Sequence, residues 1–362
     1  MEQRYDQSIG RSHFFGSLAS QRRLALCGEV AVALARKLGR ELPDALEGVE
    51  GLEGYDVHAG DGHYHKASCH ETRKEGSKRP VAHFHSLNLR THAMTHLALA
   101  DTSGERKGEH DMHALKRMDA ATLRQGAPKG RKVIYVWDKA GVDLGQWSRW
   151  KQASGIYFIS LLKENMVTEL ARVNDFERDC EVNRGVVSDY QLRTAGGAIV
   201  REVTYRCSVT LKTFRFITNV TNLQPGVIAH LYKMRWDIEK VFDVFKNRLD
   251  QTKAWGKHDT AKTMQAIFLC CAHNLLLLLE HHIEKSEGIS NVAEQRRRSQ
   301  RLDKIVSELA KRADRLPELQ LRIVRITQRS SKFIRWIRNY LSDHATSWSE
   351  ALRSLERVYA HL

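Results

Sequence analysis

Apolar residues recur at Leu231, Met234, Ile238, Val241, Phe242, Phe245 and Leu249, the period of an amphipathic helix. At about 100° per residue these seven side chains fall between about 180° and 280°. Tyr232, Arg235, Glu239 and Lys246 fall at about 0°, 300°, 340° and 320°, inside a wedge of about 60° beside that apolar face. One face therefore predicts packing on a core, and the neighbouring stripe presents four functional groups over roughly 20 Å. That length exceeds a small-molecule pocket and suits a ligand lying along the helix, such as a nucleic-acid strand. Arg and Lys neutralise phosphates, and Tyr donates to one or stacks on a base. Glu239 is the odd member, because a carboxylate facing phosphates repels them unless a cation lies between. The plain alternative is a surface salt bridge between Arg235 and Glu239 at i, i+4, worth little.

Elsewhere the pattern alternates between periods. "SQRRLALCGEVAVALARKLG" has helical spacing with Gly39 as its stop. "YDVHAGDGHYH" and "VAHFHSLNLRTHAMTHLALA" read as strands, followed by a polar loop "DTSGERKGEHD" and a helix over 111–125. "KVIYVWDKAG" is a continuous apolar run ending in an Asp, the signature of a strand buried on both faces. "WSRWKQASG" predicts a helix and "IYFISLL" another strand. Residues 166 to about 210 read as hairpins, with Gly196-Gly197 as one turn. From Pro225 onward the chain is predicted to be nearly all helix. "AIFLCCAHNLLLLLE" is interrupted by His273 and Asn274, and reads as a core helix too short to span a bilayer.

Charge narrows the partners. The 362 residues carry a net charge of +15, which favours a polyanion, and nucleic acid is the commonest. Residues 291–362 hold sixteen Lys and Arg against eight Asp and Glu, either a solvated helical face or a DNA- or partner-contacting surface. The first 50 residues balance seven basic against seven acidic groups. Six cysteines form no CxxC pair and predict reduced thiols. No signal-peptide stretch opens the chain, so a cytoplasmic protein is expected. GxxxxGK[ST], GxGxxG, GxSxG and HExxH are absent, which argues against an ATPase, a nucleotide-dependent oxidoreductase, an α/β-hydrolase and a zinc protease.

The helix signature Y-x2-R-x3-E-x6-K within "LYKMRWDIEKVFDVFK", with "FRFITN" just upstream, resembles that of the insertion-sequence-four family of DDE transposases, over residues 51 to 290. The resemblance implies an α/β fold. Its core is a ribonuclease-H-like mixed sheet flanked by helices over 51–165 and 215–290. A β-rich insertion over 166–214 precedes the catalytic Glu helix. A helical N-terminal region covers 1–50 and a basic helical C-terminal region covers 291–362. It implies metal-dependent cleavage at element ends and strand transfer, with two Mg²⁺ or Mn²⁺ ions. The partners would be double-stranded DNA carrying terminal inverted repeats, target DNA, and a second copy of the chain on paired ends, with no membrane, in a bacterial cytoplasm at the nucleoid. Tyr232, Arg235 and Lys246 would grip the DNA backbone.

Glu239 then needs two further acids, because metal-assisted phosphoryl transfer gathers carboxylates at one point. Asp138 ends the run "VIYVW" and would emerge at the C-terminal edge of a strand. Asp61 in "HAGDGHYH" resembles the family's first-Asp context. Asp56, an odd number of residues away, faces the other side of the strand. Asp101 is a weaker third choice. The catalytic and metal-binding set is thus expected to be Asp61, Asp138 and Glu239. The 101 residues between Asp138 and Glu239 exceed what such a core needs, and the hairpin-rich stretch accounts for the excess. Only 60 residues precede Asp61, short for the family's DNA-binding region. Either end recognition is compact, or the basic C-terminal helices share it, or the chain is truncated. His63, His65, Cys69 and His70, with His83 and His85, offer zinc donors, but HxH plus CH lacks a familiar structural-zinc spacing. Surface or DNA-facing histidines are expected instead. Trp255, after the signature helix, is expected to pack rather than stack on a base.

Overall fold

The computed structural model describes residues 10–69, 81–100, 111–321, 331–343 and 346–360. Two helices open it, α1 (Arg11–Leu18) and α2 (Gln21–Glu41). The Ser20 hydroxyl caps α2 by accepting from the Arg23 amide. Gly39 does not stop the helix. It ends two residues later, where Leu42 turns extended ahead of Pro43, the conformation a following proline demands.

Strands β1 (Tyr55–His65), β2 (Val81–Asn88) and β3 (Met94–Leu99) pair antiparallel in succession, β1 with β2 and β2 with β3. The helix expected over 111–125 is two short ones, α3 (Asp111–Arg117) and α4 (Ala120–Leu123), because the Asp119 carboxylate caps a new start at Ala120 by accepting from the Thr122 amide. Then come β4 (Lys132–Val136), α5 (Leu144–Ser154) and β5 (Ile156–Leu161). The hairpin region supplies β6 (Thr168–Val173), β7 (Val186–Thr194), β8 (Ile199–Arg206) and β9 (Thr213–Thr218). The remainder is helical: α6 (Pro225–Met234), α7 (Trp236–Asn247), α8 (Asp259–Glu287), α9 (Val292–Ala310), α10 (Glu318–Leu321), α11 (Ser331–Ser342) and α12 (Trp348–Ala360).

All nine strands described form one mixed sheet in the order β3-β2-β1-β4-β5-β9-β8-β7-β6. The β1, β4 and β5 strands are parallel, while β9 joins β5 antiparallel. This is the ribonuclease-H-like α/β class expected from the sequence. The hairpins between β5 and the Glu helix extend the same sheet through β9.

Strand alternation divides the core. On one face Val57, Ala59, Leu87, Ile134, Val136 and Ile159 meet Ile228, Leu231, Ile238, Val241, Phe242 and Phe245 from α6 and α7. On the other face Phe84, Val133, Tyr135, Trp137 and Phe158 meet Leu115, Leu123, Trp147 and Trp150 from α3–α5. Ile238, Val241, Phe242 and Phe245 follow the i, i+3, i+4, i+7 rule. Each contributes about 1.5–3 kcal/mol by leaving water, so tertiary burial rather than helix propensity fixes α7 on the sheet.

The α8 helix runs 29 residues, so the expectation that its apolar run is too short to cross a bilayer is corrected. It is long and apolar enough by length and composition. Two of its polar residues nevertheless face protein. Asn274 accepts from the Met94 amide at 2.8 Å and donates to the Met94 carbonyl at 3.0 Å, and His273 Nε2 lies 3.0 Å from the His92 carbonyl. The α11 and α12 helices close a satellite core around Phe333, Trp336, Leu355 and Tyr359. Part of the basic stretch "RIVRITQRSSKFIRWIRNY" (322–330), together with His70 and Asp101, lies outside the described residues.

Candidate active site

Parallel pairing sets the site. Between β1 and β4, Tyr55 pairs with Lys132 and Ala59 with Val136. Every such pair is separated by 77 positions (55 to 132, 59 to 136), and so are Asp61 and Asp138 (61 to 138). Both acids thus leave neighbouring parallel strands two residues past the last common pair. Trp137 is buried and its ring lies over Gly60: a Cβ there would come within 2.4 Å of the indole. Only glycine lets the ring lie flat on β1, which pins the chain just before Asp138. The Asp138 carboxylate also accepts from the Lys139 amide and caps a short 3₁₀ turn over Lys139–Gly141. The turn-capping role and the exit from a strand end coexist in one residue.

Glu239 arrives from α7. The α6 and α7 helices meet at Arg235, where i−3 hydrogen bonds replace the usual i−4 ones on both sides: Arg235 N to Tyr232 O and Ile238 N to Arg235 O, each 3.2 Å. The tightened turn points the Arg235 guanidinium inward. Its Nη1 donates to Asp61 Oδ2 at 3.2 Å and its Nη2 to Glu239 Oε1 at 3.0 Å. Asp138 lies close enough for its charge to bear on both Arg235 and Tyr232. Burial weakens the Arg235 charge, but Tyr232, Asp61, Glu239 and Asp138 outweigh it and hold the guanidinium more firmly protonated than usual. Arg235 is 4% exposed, so the cation is sunk among acids that remain partly open: the side chain of Asp61 is 19% exposed and that of Glu239 36%.

The expected ribbon of four outward groups is therefore corrected. Tyr232 is buried, its ring 5.0 Å from that of Phe216, and burial pushes its hydroxyl up to about 12. Arg235 is buried as well, Glu239 is half-exposed, and Lys246 is exposed. The straight-helix projection missed the turn at Arg235. Strand parity separates Asp61 from Asp56. Asp56 lies on the opposite face, 2.9 Å from His58 Nε2 and accepting from Asn88 Nδ2 at 2.8 Å.

The expected surface histidines are corrected too. His63, His65, His83 and His85 are buried. His63 lies against Phe242 of α7, ring centroids 4.9 Å apart. His96 of β3 joins them, 5.4 Å from His85. The sequence reading passed over it, although the alternation in "THLAL" places it on this face. Trp255 packs on Phe268, as expected.

Among the described residues, no three His, Cys, Asp or Glu side chains already surround one point. The guanidinium instead stands between Asp61 and Glu239. Three carboxylates facing one buried cation are hard oxygen donors in a place that already accommodates positive charge, and such a donor set fits Mg²⁺ or Mn²⁺.

An α/β sheet of this order, carrying one acid within β1, one just past the parallel strand β4 and a third on α7, defines a class of nucleic-acid-processing domain. Residues 58–275, more than half of the chain, match the family described as "Transposase DDE domain", and the chain belongs to that family. It is also similar to "Putative transposase y4zB" of Sinorhizobium fredii, 28% identical over 153 residues, which cover 40% of this chain and 42% of that protein. The chain thus spans less than half the length of that curated relative.

Proposed function

We propose that the protein is a cut-and-paste DNA transposase of the insertion-sequence-four group, acting in the bacterial cytoplasm on double-stranded DNA at the ends of its own element. Asp61, Asp138 and Glu239 would hold two Mg²⁺ or Mn²⁺ ions. When bound, such ions activate a water or a 3′-hydroxyl and stabilise the leaving oxygen of an in-line displacement at phosphorus. The chain's own part is positioning. The β1/β4 register and the Gly60–Trp137 contact fix two acids, and the apolar face of α7 fixes the third.

Arg235 holds Asp61 and Glu239 together without the ions, offsetting repulsion between like charges. Were the acids to hold the ions, the Arg235 guanidinium would be left to meet a DNA phosphate, for which its planar fork is suited. Lys246 contributes from the exposed side of α7, and Tyr232 lines the wall beside Arg235. Strand cleavage and strand transfer use one site with different nucleophiles, and the unit of work is two copies of the chain on paired ends. The regions 1–50 and 291–362 would share recognition of the terminal inverted repeats.

The common 77-residue offset of Asp61 and Asp138 and of the β1/β4 pairs carries this reading. Membership of the transposase DDE domain family supports it. The test is a Mg²⁺-dependent assay on labelled DNA bearing the element's terminal repeats. Cleavage plus joining is expected. Cleavage alone would make the protein a nuclease of the same fold, and binding alone a non-catalytic DNA-binding descendant.

A further inference from the structure

Beyond the carboxylates, the same face of the sheet carries an unusual patch. His63 and His65 on β1, His83 and His85 on β2 and His96 on β3 lie side by side, with His63 and His85 against Phe242 and Phe245 of α7. His63 is 1% exposed, His65 6%, and His83 and His85 0%. Both ring nitrogens of His63 and His65, and Nε2 of His83 and of His85, are buried with no hydrogen-bond partner. Leaving a buried polar atom unsatisfied is costly, and native proteins keep few of them. Packing alone does not explain six in one patch.

The β2–β3 end has ligand geometry. His83 Nδ1 and His96 Nε2 face each other at 3.1 Å. Two imidazoles on one tetrahedral zinc, each about 2.0–2.1 Å from the metal, place their nitrogens about 3.3 Å apart. The rings of His83 and His96 are 5.2 Å apart, those of His85 and His96 5.4 Å, and those of His83 and His85 6.2 Å. His85 Nδ1–H donates to the His83 carbonyl at 3.3 Å, which leaves the lone pair on a bare Nε2. Burial lowers the proton affinity of His85 and His96, and the neutral imidazole is the form that binds metals.

Lys246 and Lys262 direct positive charge at His65, and Lys246 also at His63, which disfavours a cation at the β1 end. The β3 strand is the sheet's edge and His96 is only half-buried, so the other end has an entry path.

We infer that His83, His85 and His96 form a second metal site, distinct from the acids, that takes a borderline transition ion such as Zn²⁺. His83 and His96 already oppose each other, and a rotation of the His85 side chain brings in the third nitrogen. A water completes the tetrahedron. The all-nitrogen donor set selects zinc, cobalt, nickel or copper over Mg²⁺. The ion would tie β2 to the edge strand β3, with His85 opposite Asp61 in the β1–β2 register.

The test uses the full chain, freed of metal with a chelator and dialysed into excess Mg²⁺. Zn²⁺ is titrated by calorimetry and Co²⁺ by visible absorption. One Zn²⁺ per chain is expected in the presence of Mg²⁺, together with the intense visible band of tetrahedral Co²⁺. The pair His83→Asn and His96→Asn should weaken Zn²⁺ at least about tenfold, and Glu239→Gln should leave it unchanged, which separates this site from the acids. If the pair does not fold by circular dichroism, His85→Gln alone must weaken binding, and Zn²⁺ must raise the melting temperature of the unmodified chain. Absent or unaltered Zn²⁺ binding in these variants, or loss of binding in the pair His63→Asn and His65→Asn instead, would overturn the assignment.

Discussion

Asp56 and Asp61 leave β1 on opposite faces, five positions apart. Asp56 is 2% exposed and fully engaged by His58 and Asn88. Asp61 is partly open and shares one guanidinium with Glu239, beside Asp138. The first carboxylate has local partners that complete it. The second meets groups from distant segments whose mutual repulsion only a cation relieves. A strand can hold a structural acid and a site acid at once, and strand parity separates them. Breaking one should cost stability, and breaking the other should cost chemistry.

The largest expected effect is on the open face. Glu239→Gln should reduce Mg²⁺-dependent strand cleavage by at least about 10²–10³-fold, the scale of losing one group that stabilises developing charge. DNA affinity in a gel-shift titration should stay nearly constant.

On the closed face, Asp56→Ala leaves His58 Nε2 and Asn88 Nδ2 without their carboxylate. It should cost about 3–5 kcal/mol in denaturant unfolding, the range for breaking a buried pair. Acidity sharpens the contrast. Burial raises the Asp56 pKa, but the His58 charge and hydrogen bond, Asn88 and Arg90 together outweigh it and hold the carboxyl below the usual range. A depressed native pKa gives stability that is fully present above the ordinary carboxylate pKa, near 4, and is lost as pH falls through the native value. Asp56→Asn should therefore flatten the decline of stability with acid below about pH 4. An unchanged acid limb would remove Asp56 from the structural role.

Between the faces lies Gly60. Gly60→Ala drives a methyl into Trp137 and should cost about 1–3 kcal/mol by overpacking. Cleavage should fall as well, because Trp137 immediately precedes Asp138. A loss of stability with an unaltered cleavage rate per folded molecule would separate the indole from the site.

The smallest effect belongs to Lys246, exposed at the end of α7. Lys246→Ala should weaken DNA binding by less than about tenfold and reduce the slope of log affinity against log salt by about one. A slope equal to that of the unmodified chain would take Lys246 off the phosphates.

These faces were unequally legible in the sequence. The apolar period over Ile238, Val241, Phe242 and Phe245 led directly to the buried side of α7, because a fixed period needs no tertiary knowledge. Asp138 was legible as the acid ending an apolar run. Parity separated Asp61 from Asp56, but resemblance made the choice between them. Arg235 was misread, since a straight-helix projection cannot show a turn that tightens one residue before the helix resumes. The histidines were misread for a different reason. Imidazole is usually half-exposed, and nothing local says that α7 will cover β1 and β2 at that point. His96 went unnoticed because its partners are distant in sequence and meet it only through the β1-β2-β3 pairing.

The most direct measurement of the central claim is non-additivity. Cleavage rates of labelled terminal-repeat DNA in Mg²⁺ would be compared for Asp61→Asn, Asp138→Asn, Glu239→Gln and the three combined. Acids that serve one site act as a unit, so each single change should fall close to the rate of the triple variant. A single variant that keeps the unmodified rate, or three losses that multiply independently, would contradict it.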